Sequence, residues 1–402
     1  MGLIKIPVPN IHSLKRALKF LFVFLAAAVF VFAMVIGLNY SGFKTLFQNE
    51  EGMAEGSEFI ENTYSLKGLT EFIGEHPEWA SITSYNVNDP DSGIYYQSDV
   101  PRTLGATANI FLLIEYERQV NEGMLDPTEE ITLQEINKFA LPEISENNHN
   151  QLVEEFENRT APLDDVIKAM LENSDLVSAD YIWFKLGERN IRALMDTLNV
   201  NDTLLPLPFS GMYTRINPSL NDTSDLKSMS FDQFAEESIQ IGNQLNSDTG
   251  FNETVKEQFD EDRLSLTFME ERDALAYFPQ ATTRELTSLM LRLWNDDILS
   301  KEISMKVKEK LRWPMGSEPI ARSFDDYGAI YDNRMGLLVG IDFGTSTYDG
   351  HTSVQAVFFD RLPVGFWVHM SANYMQEDYQ QRLIWDPALY ETTIKAIRSD
   401  NE

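Results

Sequence analysis

P-R-T-L-G-A-T-A-N-I-F-L-L-I-E-Y-E-R-Q-V-N-E-G-M-L-D, residues Pro101 to Asp126, is the stretch whose reading decides the fold. It begins as a loop and turns into a helix that closes at Gly123, a residue type that commonly ends helices. Ile110, Phe111, Leu112, Leu113 and Ile114 form an unbroken apolar run at the helix start. Apolar residues on every side mean a helix buried all round rather than one lying on a surface. The pattern therefore predicts a central helix over 109–122, its first turn presented at the end of a loop, where an active site is readily built.

The rest of the composition is compatible with one large domain around that helix. The chain has 402 residues, 43% of them apolar, enough for a sizeable core. The formal charge of −31 argues against nucleic acid as a partner and reads as a solvated acidic surface. Cysteine is absent, so no disulfide, thiolate nucleophile or cysteine metal site is possible. His12, His76, His149, His351 and His369 are scattered without metal-ligand spacing. No metal or cofactor is expected.

Phe20 to Leu38 is a run of 19 uncharged, mostly apolar residues. At about 1.5 Å per residue it nearly spans a hydrocarbon core of roughly 30 Å. Lys5, Lys15, Arg16 and Lys19 precede it and no acid does, which places the N-terminus in the cytoplasm and the rest outside. A cleaved signal peptide has a shorter apolar core and a small-residue cleavage site, and neither is present. The expectation is a single-pass protein of the cytoplasmic (inner) membrane. It has a basic segment over 1–19, a transmembrane helix over 20–38, a polar stalk over 39–65 and an extracytoplasmic domain over 66–400.

Within that domain, Leu66 to His76 has the apolar spacing of an amphipathic helix. Ala80–Asn86 and Ile94–Ser98 read as strands, with D-P-D-S-G at Asp89–Gly93 as the turn between them. A helical block follows over 104–311. It contains periodic segments at Asp164–Leu186, Asn190–Leu198, Thr283–Leu299 and Ser304–Leu311. Residues 217–271 are rich in acids and poor in large apolar residues, and read as a solvated insertion with helices near Phe231–Leu245 and Asn252–Phe259. The last third changes period. Arg334–Phe343, Ser353–Asp360 and Gly365–Met370 read as an antiparallel meander, followed by a closing helix capped by Asp386 with Pro387 at its first position. Strands at both ends can share one sheet only if the helical block is inserted between them. The fold class is α+β, a layered sandwich with a five-stranded antiparallel sheet.

This order and the helix at 109–122 resemble the class A β-lactamase and penicillin-binding protein superfamily of serine hydrolases, over roughly Leu66 to Ser399. In that family the buried helix opens with S-x-x-K, the Ser a nucleophile and the Lys one turn later on the same face. The family helix ends about fourteen residues after the Lys, at a Gly. Counting back from Gly123 puts Ala106 at the Ser position and Asn109 at the Lys position. In the stretch M-L-E-N-S-D-L-V-S-A-D-Y, the resemblance places Ser174 and Asp175 on the first two residues of the family's S-D-N and Leu176 on its Asn. The competing reading is that Ser174 and Asp175 only cap the following helix. In Y-D-N-R-M-G, Arg334 stands for the Lys of K-T-G, Met335 for its Thr, and Gly336 is kept. An arginine could still grip a carboxylate bidentately, or be an ordinary strand-edge residue. The Glu that deacylates class A enzymes has no counterpart: between Arg189 and Ala235 there is no Glu.

Alanine cannot attack a carbonyl, and an asparagine amide is not a base at neutral pH. Where nucleophile and base act as a unit, losing one can cost roughly 10⁶ in turnover. Of the literal S-x-x-K matches, Ser41–Lys44 abuts the expected membrane anchor and Ser224–Lys227 sits in the acidic insertion with no buried helix behind it. Thr107 lies beside the nucleophile position, but one residue further round a helix points about 100° away. The resemblance thus implies a catalytically inactive relative. Its vestigial cleft of Ser174, Asp175 and Arg334 could hold a peptide or cell-wall carboxylate, and the protein partner is open. The alternative is an active serine hydrolase using a non-standard nucleophile, Ser174 or Thr107.

Overall fold

The computed structural model describes residues 49–156, 159–312 and 329–398. The transmembrane expectation for Phe20–Leu38 lies outside these residues. Among the described residues no helix is long and apolar enough to cross a membrane.

Five strands form one antiparallel sheet: β1 (Ala80–Asn86), β2 (Asp89–Tyr96), β3 (Ala329–Met335), β4 (Val339–Ser346) and β5 (Thr352–Phe359). Their spatial order is β2-β1-β5-β4-β3, so the first strand pairs with the last and the helical block is inserted between the two hairpins. β1 and β5 run in register from Ala80 opposite Phe359 to Asn86 opposite Ser353. Side chains alternate between faces along each strand. Tyr85, Met335, Ile341, Phe343, Val354, Ala356 and Phe358 join the core shared with the helical block. Ala80, Ile82, Ile94, Val357 and Phe359 pack on the other face, against Leu66–Glu75 and the C-terminal helices.

The central helix α1 (Asn109–Asn121) is buried along most of its length, with Ile110, Phe111, Leu113, Ile114 and Tyr116 at most 1% exposed. Helix α2 (Leu176–Leu186) packs beside it, and α3 (Phe209–Ile216) packs on α2.

Several expectations need correction. Asp164–Leu186 is two helices, Leu163–Glu172 and α2, broken where Ser174 takes a left-handed φ of 50°. The turn between β1 and β2 is Val87–Asn88, held by Asn88 N–H on Asn86 Oδ1 at 2.9 Å, and D-P-D-S-G runs inside β2. Pro90 is tolerated there because β2 is an edge strand. Arg334–Phe343 is not one strand but the two arms of the β3–β4 hairpin. Gly336 turns it with φ of 96°, where a Cβ would sit 2.0 Å from Val339 O. Gly365–Met370 is helical, inside α4 (Val364–Ala372) and followed by α5 (Met375–Trp385).

The acidic insertion is not merely solvated. Phe234, Ala235 and Leu245 of Phe231–Ser247, with Val255 and Phe259 of Thr249–Asp262, lie in the main core. Nor are the described residues of the stalk a loose spacer. Glu50–Ala54 and Ser57–Thr63 are helices docked on the domain, with Glu55 bonded to Arg272 Nη1 at 2.5 Å and to Val364 N at 3.1 Å.

Candidate active site at the mouth of the central helix

The approach to α1 is pinned on both sides. Arg102 and Thr103 pair with Ala281 and Gln280, and Leu104 N–H donates to Pro279 O at 2.9 Å. Arg102 is 2% exposed and its guanidinium donates to Ser81 Oγ at 3.0 Å and to the carbonyls of Pro77, Glu78 and Ala80. A single 3₁₀ turn, Gly105–Ala108, then leads into α1, with Gly105 at a φ of 51°.

Ala106 sits half-buried on that turn and presents a methyl group. Thr107 is fully buried, and its hydroxyl lies 2.5 Å from Leu104 O and 3.1 Å from Val339 O. One proton shared between two carbonyls leaves that oxygen as a cross-link between the helix mouth and β4, not as a group poised beside a base. Asn109, one turn on, is 1% exposed, and neither its Oδ1 nor its Nδ2 has a hydrogen-bond partner. Buried amides are normally satisfied, so this one is costly.

The turn before α2 is organised by Asp175 rather than by Ser174. Asp175 is fully buried and accepts from Val177 N at 3.0 Å, which makes it the helix cap. It also faces Ser178 Oγ at 2.5 Å and His149 Nδ1 at 2.9 Å, and His149 Nε2 lies 2.6 Å from Asn137 Oδ1. His149 thus locks the turn to its neighbours. Spacing hid it, because the partners come from separate segments. Ser174 is half-buried, and its carbonyl meets Asn148 Nδ2 at 3.5 Å. Leu176 is half-buried against the main core.

From within α2, Asp180 accepts the backbone N–H groups of Phe209 and Ser210, each at 2.6 Å, and so caps α3. Burial pushes its carboxyl up to about 7, an effect that the Ser210 and Phe209 donors only partly offset.

Arg334 does not join this site. Strand alternation puts its neighbours Asn333 and Met335 on the helical-block side, where Asn333 Nδ2 bonds Lys308 O and Met335 joins the core. Arg334 points to the opposite face, 3.3 Å from Glu377 and 3.4 Å from Gln376 Oε1 on α5. The expected cleft of Ser174, Asp175 and Arg334 is therefore corrected: Arg334 is a structural cation beneath the sheet, and Asp175 is a helix cap.

A family model described as the Beta-lactamase enzyme family matches residues 67–361. The chain belongs to that family. Among solved structures, a β-lactamase from Sphaerobacter thermophilus is similar at 15% identity, over 78% of this chain and 95% of that one, with a TM-score of 0.50. A β-lactamase from Chitinophaga pinensis has 13% identity, coverage of 80% and 99%, and a TM-score of 0.49. The structure of PBP-A has 14% identity, coverage of 78% and 96%, and a TM-score of 0.47. At these identities the likeness of the first shows the fold alone. No curated protein matches the sequence.

The S-x-x-K pattern of this β-lactamase-like family needs a hydroxyl in contact with a lysine amine at the mouth of α1. Among the described residues, the hydrogen-bonded lysines reach carboxylates, one amide oxygen and one backbone carbonyl, never a serine or threonine hydroxyl. Among the described residues there is also no cluster of His, Cys, Asp and Glu suited to a metal ion.

Proposed function

We propose that this member of the β-lactamase-like serine hydrolase superfamily is a catalytically inactive, membrane-anchored extracytoplasmic domain that binds ligand or scaffolds a partner at the cell envelope. The observation that carries the reading is the pair at the helix mouth. Ala106 offers a methyl and Asn109 a buried amide, where acyl transfer needs a hydroxyl and an amine. The bonding of Thr107 to Leu104 O and Val339 O supports it, because the nearest substitute hydroxyl is already engaged. Noncovalent recognition of a peptide or cell-wall fragment needs neither of the two reacting groups. Anchoring rests on Phe20–Leu38 and the four basic residues before it.

A fluorescent penicillin tests the catalytic half of the reading. Incubated with the intact chain and run under denaturing conditions, it leaves no covalent band if the domain is inactive. A band that Ser174→Ala abolishes would overturn the reading and establish a hydrolase with a displaced nucleophile.

A further inference from the structure

The described residues that follow the apolar N-terminal run, from Asn49 on, are packed against one face of the domain. Asn49 Oδ1 accepts from Phe268 N at 2.5 Å, and Glu55 O accepts from Gly365 N at 3.1 Å. The fit is close enough that a Cβ on Gly365 would lie 2.3 Å from Met53 O, and one on Gly56 2.6 Å from Pro363 Cβ. Only residues 39–48 separate this docked segment from Leu38. Even fully extended, ten residues reach at most about 35 Å. Whatever surface surrounds the docked segment therefore stays close to the bilayer that Phe20–Leu38 would cross.

That surface carries aromatic rings that face solvent. The receiving helix, α4, reads V-G-F-W-V-H-M-S-A and has no acidic or basic residue other than a histidine. Val364, which lies against Gly52 of the docked segment, shares a helix face with Trp367 and Val368. Trp367 is 50% exposed one turn along from that contact. Tyr64, at the end of the docked segment, is 69% exposed, its ring edge-on to His369 of the same helix at 4.7 Å. Tryptophan and tyrosine are the residues that bilayer interfaces favour, since each pairs an apolar ring with a polar atom that stays hydrated.

We propose that this surface lies on the bilayer, with the Trp367 and Tyr64 rings, on different sides of α4, both at headgroup level, so that the domain is held in one orientation on its membrane. The proposal rests on the anchored reading given above. Glu50, Glu51, Glu58 and Glu61 are exposed around the same segment, so uncharged headgroups suit the face better than anionic ones.

The absence of native cysteine allows a direct test. Trp367→Cys, Tyr64→Cys and, as a comparison elsewhere, Met124→Cys each take one thiol-reactive, polarity-sensitive dye. The full chain is reconstituted into phosphatidylcholine vesicles carrying headgroup-level nitroxide lipid. The expected result is co-flotation with the vesicles, and several-fold stronger quenching of the dyes at 367 and 64 than of the dye at 124. With phosphatidylglycerol at low salt, that contrast shrinks and is restored by added salt. Chains that fail to float overturn the anchor and this proposal together. Chains that float while the dyes at 367 and 64 stay in water overturn the proposal alone. Dyes shielded from water yet untouched by the nitroxide indicate contact with protein, a second copy included, and likewise overturn it.

Discussion

Beneath the sheet, on the side of the C-terminal helices, Arg334, Asp342, Gln355, Gln376, Glu377 and Gln380 are buried together and bonded to one another. Gln355 Nε2 reaches Asp342 Oδ1 at 3.1 Å, Gln380 donates to the other carboxylate oxygen, and Ser84 Oγ donates to Gln355 Oε1 at 3.0 Å. Gly340 leaves room for this arrangement, since a Cβ there would sit 2.4 Å from Gln380 Oε1. Above the sheet, at the mouth of α1, a single buried amide has no partner. The first region is a connected polar network, in which Arg334 and Glu377 meet as an ion pair at 3.3 Å. The second holds a methyl group, Ala106, and the buried amide of Asn109, which nothing around it satisfies. Polar residues in a core are expensive either way, and the difference lies in whether they were integrated.

The largest effect is expected at Arg334. Arg334→Leu removes the cation that faces both Glu377 and buried Asp342, and removing one partner of a buried pair costs about 3–5 kcal/mol. Urea unfolding should show that loss, and a change below about 1 kcal/mol would mean that the network does not depend on its cation. The opposite sign is expected at the helix mouth. Asn109→Leu removes an unsatisfied amide and should raise stability by about 1–3 kcal/mol, and a loss of that size would mean the amide is satisfied in solution.

A pH titration separates the two faces further. Asp180 has a folded-state pKa raised to about 7 by burial. The folded chain therefore holds a proton that the unfolded chain releases. The stabilisation is complete below the unfolded value near 4 and is lost as pH rises through about 7. One such proton sets a slope of up to about 1.4 kcal/mol per pH unit, which Asp180→Asn should flatten. The smallest effect is expected from Ala106→Ser. It restores a hydroxyl without a base, so stability should change by under about 0.5 kcal/mol and a fluorescent penicillin should still leave no band.

Much of the architecture could be read from local pattern. The apolar run at 110–114 and Gly123 bounded the central helix to within a residue, because burial on all sides leaves a signature independent of neighbours. Strands β1 and β5 were likewise legible from alternation and turns. What failed was tertiary. The run G-F-W-V-H-M is as apolar as a strand, but Gly365 packs under Met53 O and the segment winds into α4, a contact across some 300 positions of sequence. The acid-rich stretch looked solvated because its charges outnumber its core residues, yet Phe234 and Phe259 are at most 1% exposed. At the candidate site, Ala106 and Asn109 were legible by counting along one helix. Which face Arg334 occupies depends on strand register, and a one-residue difference reverses it. Asp175 could be read as a cap, whereas its partner His149 could not.

The long excursion between Leu204 and Gln280 leaves and returns through one doorway, for Leu204 N–H donates to Gln280 O at 2.8 Å. Chain threaded through such an opening can lengthen, shorten or change sequence without pulling on the sheet. The doorway's far jamb, Pro279, bonds Leu104 at the threshold of α1. Evolution could therefore remodel the floor beside the mouth of α1 wholesale while the walls of the house stood still.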